Sequence, residues 1–219
     1  MPTKTPDGIG YNTTMTDNVN HAGSWDAYYE QSRDGWDLGG PTPVFNRLAS
    51  NGRFEPGRMA VLGAGRGYDA REFSRHGFQV TAVDFASNAV NEMKRLAEAD
   101  APLEILQQDI FTFPNEYDAS FDYILEYVCF CAIDPNRRNE YADVATRLLK
   151  PNGLFIDLAY PLDARKGGPP FSFSARELLD LFEKRGFKLL SRERPEDSIS
   201  RRKHAEELFI FQKIEQVGI

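Results

Sequence analysis

A glycine-rich turn and an acidic residue 21 positions after its first glycine are the clearest chemical signals in this sequence. The apolar run at residues 59–62 leads into Gly63, Gly65 and Gly67, and a helical pattern follows. Glycine lets the backbone approach a ligand closely, and the helix start offers unpaired N–H groups, as in nucleotide sites. The next strand-like run ends at Asp84, whose carboxylate can accept both ribose hydroxyls. The pattern therefore predicts a nucleoside-containing ligand.

The spacing of the glycines distinguishes between two kinds of cofactor. A dinucleotide fingerprint is G-x-G-x-x-G, but the position of its third glycine is occupied by Tyr68. The G-x-G-x-G pattern present here favours S-adenosyl-L-methionine over NAD. Asp109 and Ile110 follow the third strand-like run, where a carboxylate can bind an adenine amino group. An oxidoreductase is disfavoured further because no candidate base for hydride transfer is apparent.

Strands and helices must alternate to bring these loops together. Strands separated by helices of this length indicate an α/β fold, a Rossmann-like, doubly wound, mostly parallel sheet with helices on both faces. No helical pattern separates the last two of the seven strands, so we expect the last strand to be antiparallel. The predicted strands are residues 59–62, 80–83, 103–106, 123–125, 154–160, 187–191 and 208–212, and the predicted helices are residues 68–76, 87–99, 138–149 and 174–185.

Composition and charge exclude several classes of function. Among 219 residues, 26 Lys and Arg stand against 33 Asp and Glu, a net charge of −7 that argues against a general nucleic-acid binder. No apolar run approaches the roughly 20 residues that span a bilayer, and residues 1–20 lack a signal-peptide core. Cys129 and Cys131 are too few for a disulfide framework or a Cys-based zinc site. We therefore expect a cytoplasmic protein, a monomer or weak dimer, with no metal, nucleic-acid or membrane partner.

Four stretches, one of which contains the glycine turn, carry a family resemblance. They are WDAYY at residues 25–29 with GWDLGGPTP at 35–43, LGAGRGYD at 62–69, EYVCFCAIDP at 126–135, and YP at 160–161 with GGPPF at 167–171. They resemble motifs of the class I S-adenosylmethionine-dependent methyltransferases, and more narrowly of the thiopurine methyltransferase superfamily. The chain is most similar to its plant-type halide, thiocyanate and thiol methyltransferases, and the last two stretches are specific to that branch.

The resemblance implies a binding site for S-adenosyl-L-methionine, with S-adenosyl-L-homocysteine as the product. Aromatic rings suit the sulfonium cation and the adenine face of this cofactor. Two residues are implied at the substrate: Tyr160, whose hydroxyl can touch a small anion, and Arg138, which matches an arginine of the superfamily. The implied cofactor-binding residues are Trp25, Tyr29, Trp36, Gly63, Gly65, Asp84, Asp109, Ile110 and Tyr127.

The implied reaction is methyl transfer to a small soft nucleophile, namely a thiol, hydrosulfide, thiocyanate or halide. Such a small-molecule substrate needs positioning and desolvation rather than a strong base. Glu126 is the one candidate base, although its motif position suggests a cofactor or structural role. Arg137, Arg138 and residues 201–203 can supply positive charge for an anion. Cys129 replaces a family Phe, which leaves the acceptor open.

Two alternatives remain at this point: a methyltransferase for bulkier aromatic thiols or metalloid anions, and a non-catalytic S-adenosylmethionine-binding protein. The expected organisation is a flexible N-terminal tail at residues 1–22, which are rich in Thr, Asn, Asp and Gly. A single methyltransferase domain is expected over residues 23–219.

Overall fold

A seven-stranded mixed sheet forms the centre of the protein, whose structure, a computed structural model, describes residues 19–215. The strands are β1 Arg58–Leu62, β2 Gln79–Asp84, β3 Leu103–Gln107, β4 Phe121–Glu126, β5 Leu149–Ala159, β6 Phe187–Glu193 and β7 Glu207–Lys213. Their order across the sheet is β3-β2-β1-β4-β5-β7-β6. Each strand covers one of the seven predicted apolar runs to within a few residues, which confirms the predicted fold class.

The last strand runs against the others. Neighbouring strands among β1 to β5 pair in parallel, whereas β7 pairs antiparallel with both β5 and β6. In this register Glu207 at the start of β7 lies opposite Ala159 at the end of β5. Residues just before β7 therefore reach the edge of the sheet at which β1 to β5 end.

Helices cover both faces of the sheet. Along β1, Met59 and Val61 belong to one hydrophobic cluster and Ala60 and Leu62 to the other, as strand alternation requires. The helices are α1 Ala22–Glu30, α2 Pro43–Ser50, α3 Tyr68–Arg75, α4 Ser87–Arg95, α5 Arg138–Leu148 and α6 Ala175–Glu183. The cluster of Met59 and Val61 packs α2, α3 and α4 on the sheet, and the cluster of Ala60 and Leu62 packs α5 and α6.

Local sequence signals explain where some elements begin and end. Ser174 and Glu177 form a capping box at the start of α6, each side chain bonding the other residue's N–H. Helix α4 ends at Arg95, short of the predicted residue 99, and a turn follows. Residues 150–153, whose Pro and Gly suggest a turn, instead belong to β5. The pairing with β4 shifts its register there, and Asn152 has a φ of +64°.

The predicted tail lies mostly outside the described residues, which begin at Val19. Val19 itself is buried, and its carbonyl accepts a 3.0 Å hydrogen bond from the indole N–H of Trp25. The division into a tail at residues 1–22 and one domain at 23–219 stays a prediction. Within the described part of the chain, no helix has the length and apolar character to cross a membrane.

Candidate functional site

A cavity of about 1170 Å³ lies at the edge of the sheet where β1 to β5 end. Open α/β sheets bind ligands at this edge, and small-molecule pockets usually measure about 300–1,000 Å³. The volume therefore accommodates a nucleoside cofactor together with a second molecule. Ten of the predicted site residues line the cavity: Trp25, Tyr29, Trp36, Gly63, Gly65, Asp84, Asp109, Ile110, Tyr127 and Tyr160. Arg138 is not among the lining residues.

The glycine turn after β1 is packed so tightly that its first position has no room for a side chain. Gly63 has a φ of +65°, and a Cβ atom built on it would lie 2.6 Å from the Sγ atom of Cys129. The N–H of Ala64 donates to the carbonyl of Val83 at 2.8 Å, which ties the turn to β2. The main chain of the turn therefore forms part of the cavity wall, as the sequence pattern predicts.

Asp84 occupies the end of β2 and is held by the main chain on both sides. Its Oδ2 atom accepts the N–H of Gly65 and its Oδ1 atom accepts the N–H of Ala86, each at 2.9 Å. Burial, together with the nearby carboxylate of Asp26, raises the pKa of Asp84 to about 6. Each carboxylate oxygen has a further lone pair, so Asp84 can still accept two ribose hydroxyls. We call Gly63, Gly65 and Asp84 the glycine side of the cavity.

An aromatic cluster covers the cavity from the N-terminal helix. The Trp36 ring lies 5.6 Å from those of Trp25 and Tyr28 and 5.7 Å from that of Tyr29, all in edge-to-face arrangements. Burial raises the pKa of the Tyr29 hydroxyl, so this group stays neutral. Neutral aromatic rings suit both a sulfonium cation and an adenine ring. The cluster thus fits the cofactor that the glycine turn suggests.

The segment of residues 31–42, which we call the strap, carries Trp36 across the cavity. Arg66 of the glycine turn forms ion pairs with both Asp34 and Asp37 of the strap. Further along, Thr42 donates its N–H and its hydroxyl to Asp69 of α3, at 2.6 and 2.9 Å. The strap is therefore anchored to the loop that forms the glycine side.

Asp109 and Ile110 form the wall beyond β3. The Oδ1 atom of Asp109 accepts the N–H of Phe111 at 3.0 Å and so caps a short 3₁₀ turn. The guanidinium of Arg137 lies 3.4 Å from the centre of the Phe111 ring, and all four residues line the cavity. A carboxylate therefore lies in the cavity wall at the place where the sequence predicts an adenine contact, and that contact stays a prediction.

Two arginines and two tyrosines form the opposite wall, across β4 from the glycine turn. The Tyr160 ring has the guanidiniums of Arg202 and Arg165 at 4.9 and 5.1 Å from its centre. Arg165 also donates to the Tyr160 hydroxyl at 3.1 Å and forms an ion pair with Asp163. Arg202, only 5% exposed, donates to the Tyr127 hydroxyl at 2.6 Å. We call Tyr160, Arg165 and Arg202 the arginine side.

Arg202 differs from Arg165 in its charge balance. Within residues 19–215 its guanidinium forms hydrogen bonds to the Tyr127 hydroxyl and to the carbonyl of Trp36, at 2.6 and 3.1 Å, but no ion pair. The Tyr127 hydroxyl in turn donates to the buried carboxylate of Glu206 at 2.9 Å. Arg202 is therefore a cavity-lining cation whose charge is not cancelled by a directly contacting carboxylate, which suits an anionic ligand.

Arg138 has a different position from the one its motif implies. Its Nη2 atom donates to the carbonyls of Phe171 and Ser172 at 3.1 and 3.2 Å. Its guanidinium lies 5.1 Å from the ring centre of Phe130 and 5.2 Å from that of Phe173. The side chain thus joins the start of α5 to the loop before α6, and these contacts favour a structural role.

Glu126, the candidate base, is buried and does not line the cavity. Burial raises its pKa, and its oxygens are already bonded to the N–H groups of Cys129 and Phe130 and to the hydroxyl of Tyr141. A carboxylate in this position cannot reach a proton on a cavity ligand. Among the described residues, no group of three or more His, Cys, Asp or Glu could hold a metal.

Sequence reasoning did not single out Arg66 or Arg165. Arg66 lies inside the glycine turn, and Arg165 lies between the two parts of the motif at residues 160–161 and 167–171. The signal that could have identified them was the position of each arginine inside a ligand-binding motif. Arg202 belongs to the predicted group at residues 201–203, but the sequence did not separate it from its neighbours.

Comparison with known proteins agrees with this geometry. Residues 20–217 match the family described as thiopurine S-methyltransferase. The chain is 34% identical to "Probable thiol methyltransferase 2" of Arabidopsis thaliana, over 89% of this chain and 86% of the relative. It is 33% identical to thiocyanate methyltransferase 1 of Brassica oleracea, over 88% and 85% of the two chains.

A solved structure supports the fold independently. The 1,6-didemethyltoxoflavin-N1-methyltransferase of Burkholderia thailandensis, solved with S-adenosylhomocysteine, superposes with a TM-score of 0.68. The alignment covers 98% of this chain and 94% of that one, at 21% sequence identity. The match concerns the arrangement of the sheet and helices.

Proposed function

The chain belongs to the thiopurine S-methyltransferase family, and from this premise we propose that it methylates a small, soft, anionic nucleophile with S-adenosyl-L-methionine. The nucleophile is a thiolate, hydrosulfide, thiocyanate or halide. Thiol and thiocyanate methyltransferases are among its relatives at about a third identity over most of the chain. The observation that carries the choice of acceptor is Arg202, the buried cation without a directly contacting carboxylate on the arginine side.

The cofactor is held by the glycine side and the aromatic cluster. Asp84 accepts the ribose hydroxyls, Asp109 and Ile110 meet the adenine, and the turn at Gly63 and Gly65 faces the methionine part. When bound, S-adenosyl-L-methionine supplies an electrophilic methyl group on a sulfonium and leaves as S-adenosyl-L-homocysteine. The half-buried aromatic rings shield that cation from water, which is the main requirement for transfer to a soft nucleophile.

The arginine side orients the acceptor. Arg202 attracts the anion, and the Tyr160 hydroxyl, which accepts a hydrogen bond from Arg165, can turn its own proton toward it. An acceptor that arrives as an anion has no proton to lose, so no general base is needed. This agrees with the inaccessible position of Glu126, and we propose that the reaction proceeds without a metal.

A headspace assay tests the proposal. Purified protein is incubated with S-adenosyl-L-methionine and iodide, thiocyanate or hydrosulfide, and methyl iodide, methyl thiocyanate or methanethiol is quantified against a no-enzyme control. Product from at least one acceptor is expected. If calorimetry shows cofactor binding but no acceptor yields product, the proposed acceptor class is wrong.

A second candidate acceptor class is favoured by the volume of the cavity. At about 1170 Å³ it exceeds what a cofactor and a three-atom anion require. Cys129 lies in the wall at the position where the motif that residues 126–135 resemble has Phe, and the smaller side chain leaves space for an aromatic thiol. Competition between thiocyanate and a series of aromatic thiols distinguishes the two classes, because the preferred class shows the higher kcat/KM.

A further inference from the structure

The segment after β4, residues 127–130, brings two side chains into the cavity wall through an unfavourable backbone conformation. Tyr127 and Cys129 line the cavity on either side of Val128. Val128 has a φ of +59°, which a β-branched residue rarely adopts. A residue held in such a conformation persists only when its surroundings fix it, so something must hold this segment in place.

The buried carboxylate of Glu126 is the group that holds it. Its Oε1 atom accepts the N–H groups of Cys129 and Phe130, at 3.0 and 2.8 Å. Its Oε2 atom accepts the hydroxyl of Tyr141 at 2.8 Å. Only 1% of Glu126 is exposed, and Asp157 of β5 is its neighbour in the strand register. Burying a carboxyl group is costly unless hydrogen bonds compensate for it, and Glu126 makes three.

The segment of residues 127–130 is in direct contact with the glycine side. The Sγ atom of Cys129 lies where a side chain on Gly63 would otherwise be, 2.6 Å from the Cβ position. At the other end of the segment, the Tyr127 hydroxyl accepts the hydrogen bond from Arg202. A shift of residues 127–130 would therefore disturb both walls of the cavity together.

We propose that Glu126 is a positioning residue for methyl transfer, which fixes residues 127–130 so that Cys129 meets the glycine turn and Tyr127 meets Arg202. It acts through the N–H groups of Cys129 and Phe130 and touches neither ligand. This inference rests on the proposed function, because it concerns the reaction at the same cavity. Glu126 then acts neither as a general base nor only as a residue that stabilises the folded core.

The first test compares three variants at 15 °C, where each is verified as folded by circular dichroism. Glu126→Ala removes both N–H bonds, and kcat is expected to fall about 100-fold, as for a displacement of about 1 Å at a reacting centre. Glu126→Gln keeps an oxygen for the two N–H groups and is expected to stay within about threefold. Tyr141→Phe is the matched control, since it removes only the third bond to the same carboxylate.

A second readout is independent of turnover. The rate at which iodoacetamide labels Cys129, located by tandem mass spectrometry to separate it from Cys131, reports whether the segment is held. Cys129 is only partly exposed, its Sγ atom packs against the glycine turn, and desolvation raises the pKa of its thiol, so slow labelling of the parent protein is expected. Labelling is expected to accelerate about tenfold or more in Glu126→Ala and to remain slow in Tyr141→Phe.

A double variant guards against simple unfolding of Glu126→Ala. Adding Val128→Gly removes the penalty of positive φ, so the segment can keep its conformation without the carboxylate. About tenfold of the lost kcat is expected to return. The proposal is overturned if folded Glu126→Ala keeps its kcat, or if labelling of Cys129 is unchanged. If the parent protein methylates no acceptor, the proposed function fails, while the labelling result still decides the role of Glu126.

Discussion

On the glycine side of the cavity, Gly63 and Gly65 follow β1, and the N–H of Gly65 donates to the carboxylate of Asp84 at the end of β2. The arginine side instead joins long side chains from two separate loops. The first arrangement depends on the absence of side chains and on N–H groups. The second depends on Arg165 and Arg202 stacking on the Tyr160 ring. A cofactor of fixed shape can be bound by rigid backbone, while an acceptor is selected by replaceable side chains. Changes on the two sides are therefore expected to affect different kinetic constants.

The largest effect is expected from Gly63→Ala. The new methyl group would lie 2.6 Å from the Sγ atom of Cys129, at a φ that disfavours alanine. We expect cofactor affinity and kcat/KM to fall about 100-fold, measured by calorimetry and initial rates. Gly23→Ala is the control, because Gly23 has no atom within 4 Å of its Cβ position. Unchanged cofactor binding in Gly63→Ala would show that the glycine turn does not hold the ligand.

The next effect is expected from Arg202→Met, which should reduce acceptor use more than cofactor binding. Losing a buried charged donor should lower kcat/KM for thiocyanate about 30-fold, as expected for hydrogen bonds to a charged group. The variant also loses the bond to the Trp36 carbonyl, but cofactor affinity should change less than about threefold, because Arg66 and Asp69 still anchor the strap. Lys203→Met, at the neighbouring exposed position, is the control. A larger loss in cofactor binding than in acceptor use would remove the distinction between the sides.

The affinity for the cofactor should depend on pH through the carboxylate of Asp84 on the glycine side. Burial raises the pKa of Asp84 to about 6, and the ionised form has lone pairs on both oxygens to accept the two ribose hydroxyls. Binding thus favours ionisation, so affinity should be complete above about pH 7 and weaken as the pH falls through 6, by up to about tenfold per unit. Asp84→Asn should bind weakly at every pH. Burial also raises the pKa of Asp69 to about 6, so Asp69→Asn is the control that should keep the dependence.

The smallest kinetic effect is expected from Arg138→Met. The lost hydrogen bonds to the carbonyls of Phe171 and Ser172 should lower the free energy of unfolding by about 2 kcal/mol. The KM for the acceptor should change less than about twofold. Arg176→Met, which alters an exposed ion pair with Asp180, should change neither quantity. A tenfold rise in the KM for the acceptor would instead show that Arg138 helps to bind the acceptor.

The sequence predicted the sheet and the glycine side because both depend on neighbouring residues. Apolar runs define strands, and Gly63, Gly65 and Asp84 occur within one strand-turn-helix-strand unit. The antiparallel last strand followed from the short connection before it. Helices α1 and α2 were not predicted as elements. Helix α1 buries none of its residues completely, so it lacks the fully buried face that the predicted helices have.

The arginine side was harder to predict because it depends on tertiary contacts. Arg137, Arg138 and residues 201–203 look alike in sequence, as charged residues beside a strand or a helix. Only the folded chain separates Arg202, buried against two tyrosines, from Arg138, which bonds carbonyls outside the cavity wall. The role of Glu126 likewise becomes visible only when its two N–H partners are known.

The reversed direction of β7 has a consequence for how this architecture can diversify. The loops after β1 and β2 lead within a few residues into α3 and α4, so changing a residue there disturbs the start of a helix. Arg202 instead lies on the connection between two strands that pair with each other, and this connection contains turns but no helix. Its length and composition can vary while both ends stay fixed in the sheet. New acceptor preferences can therefore arise there by insertion or substitution, with the cofactor-binding loops unchanged.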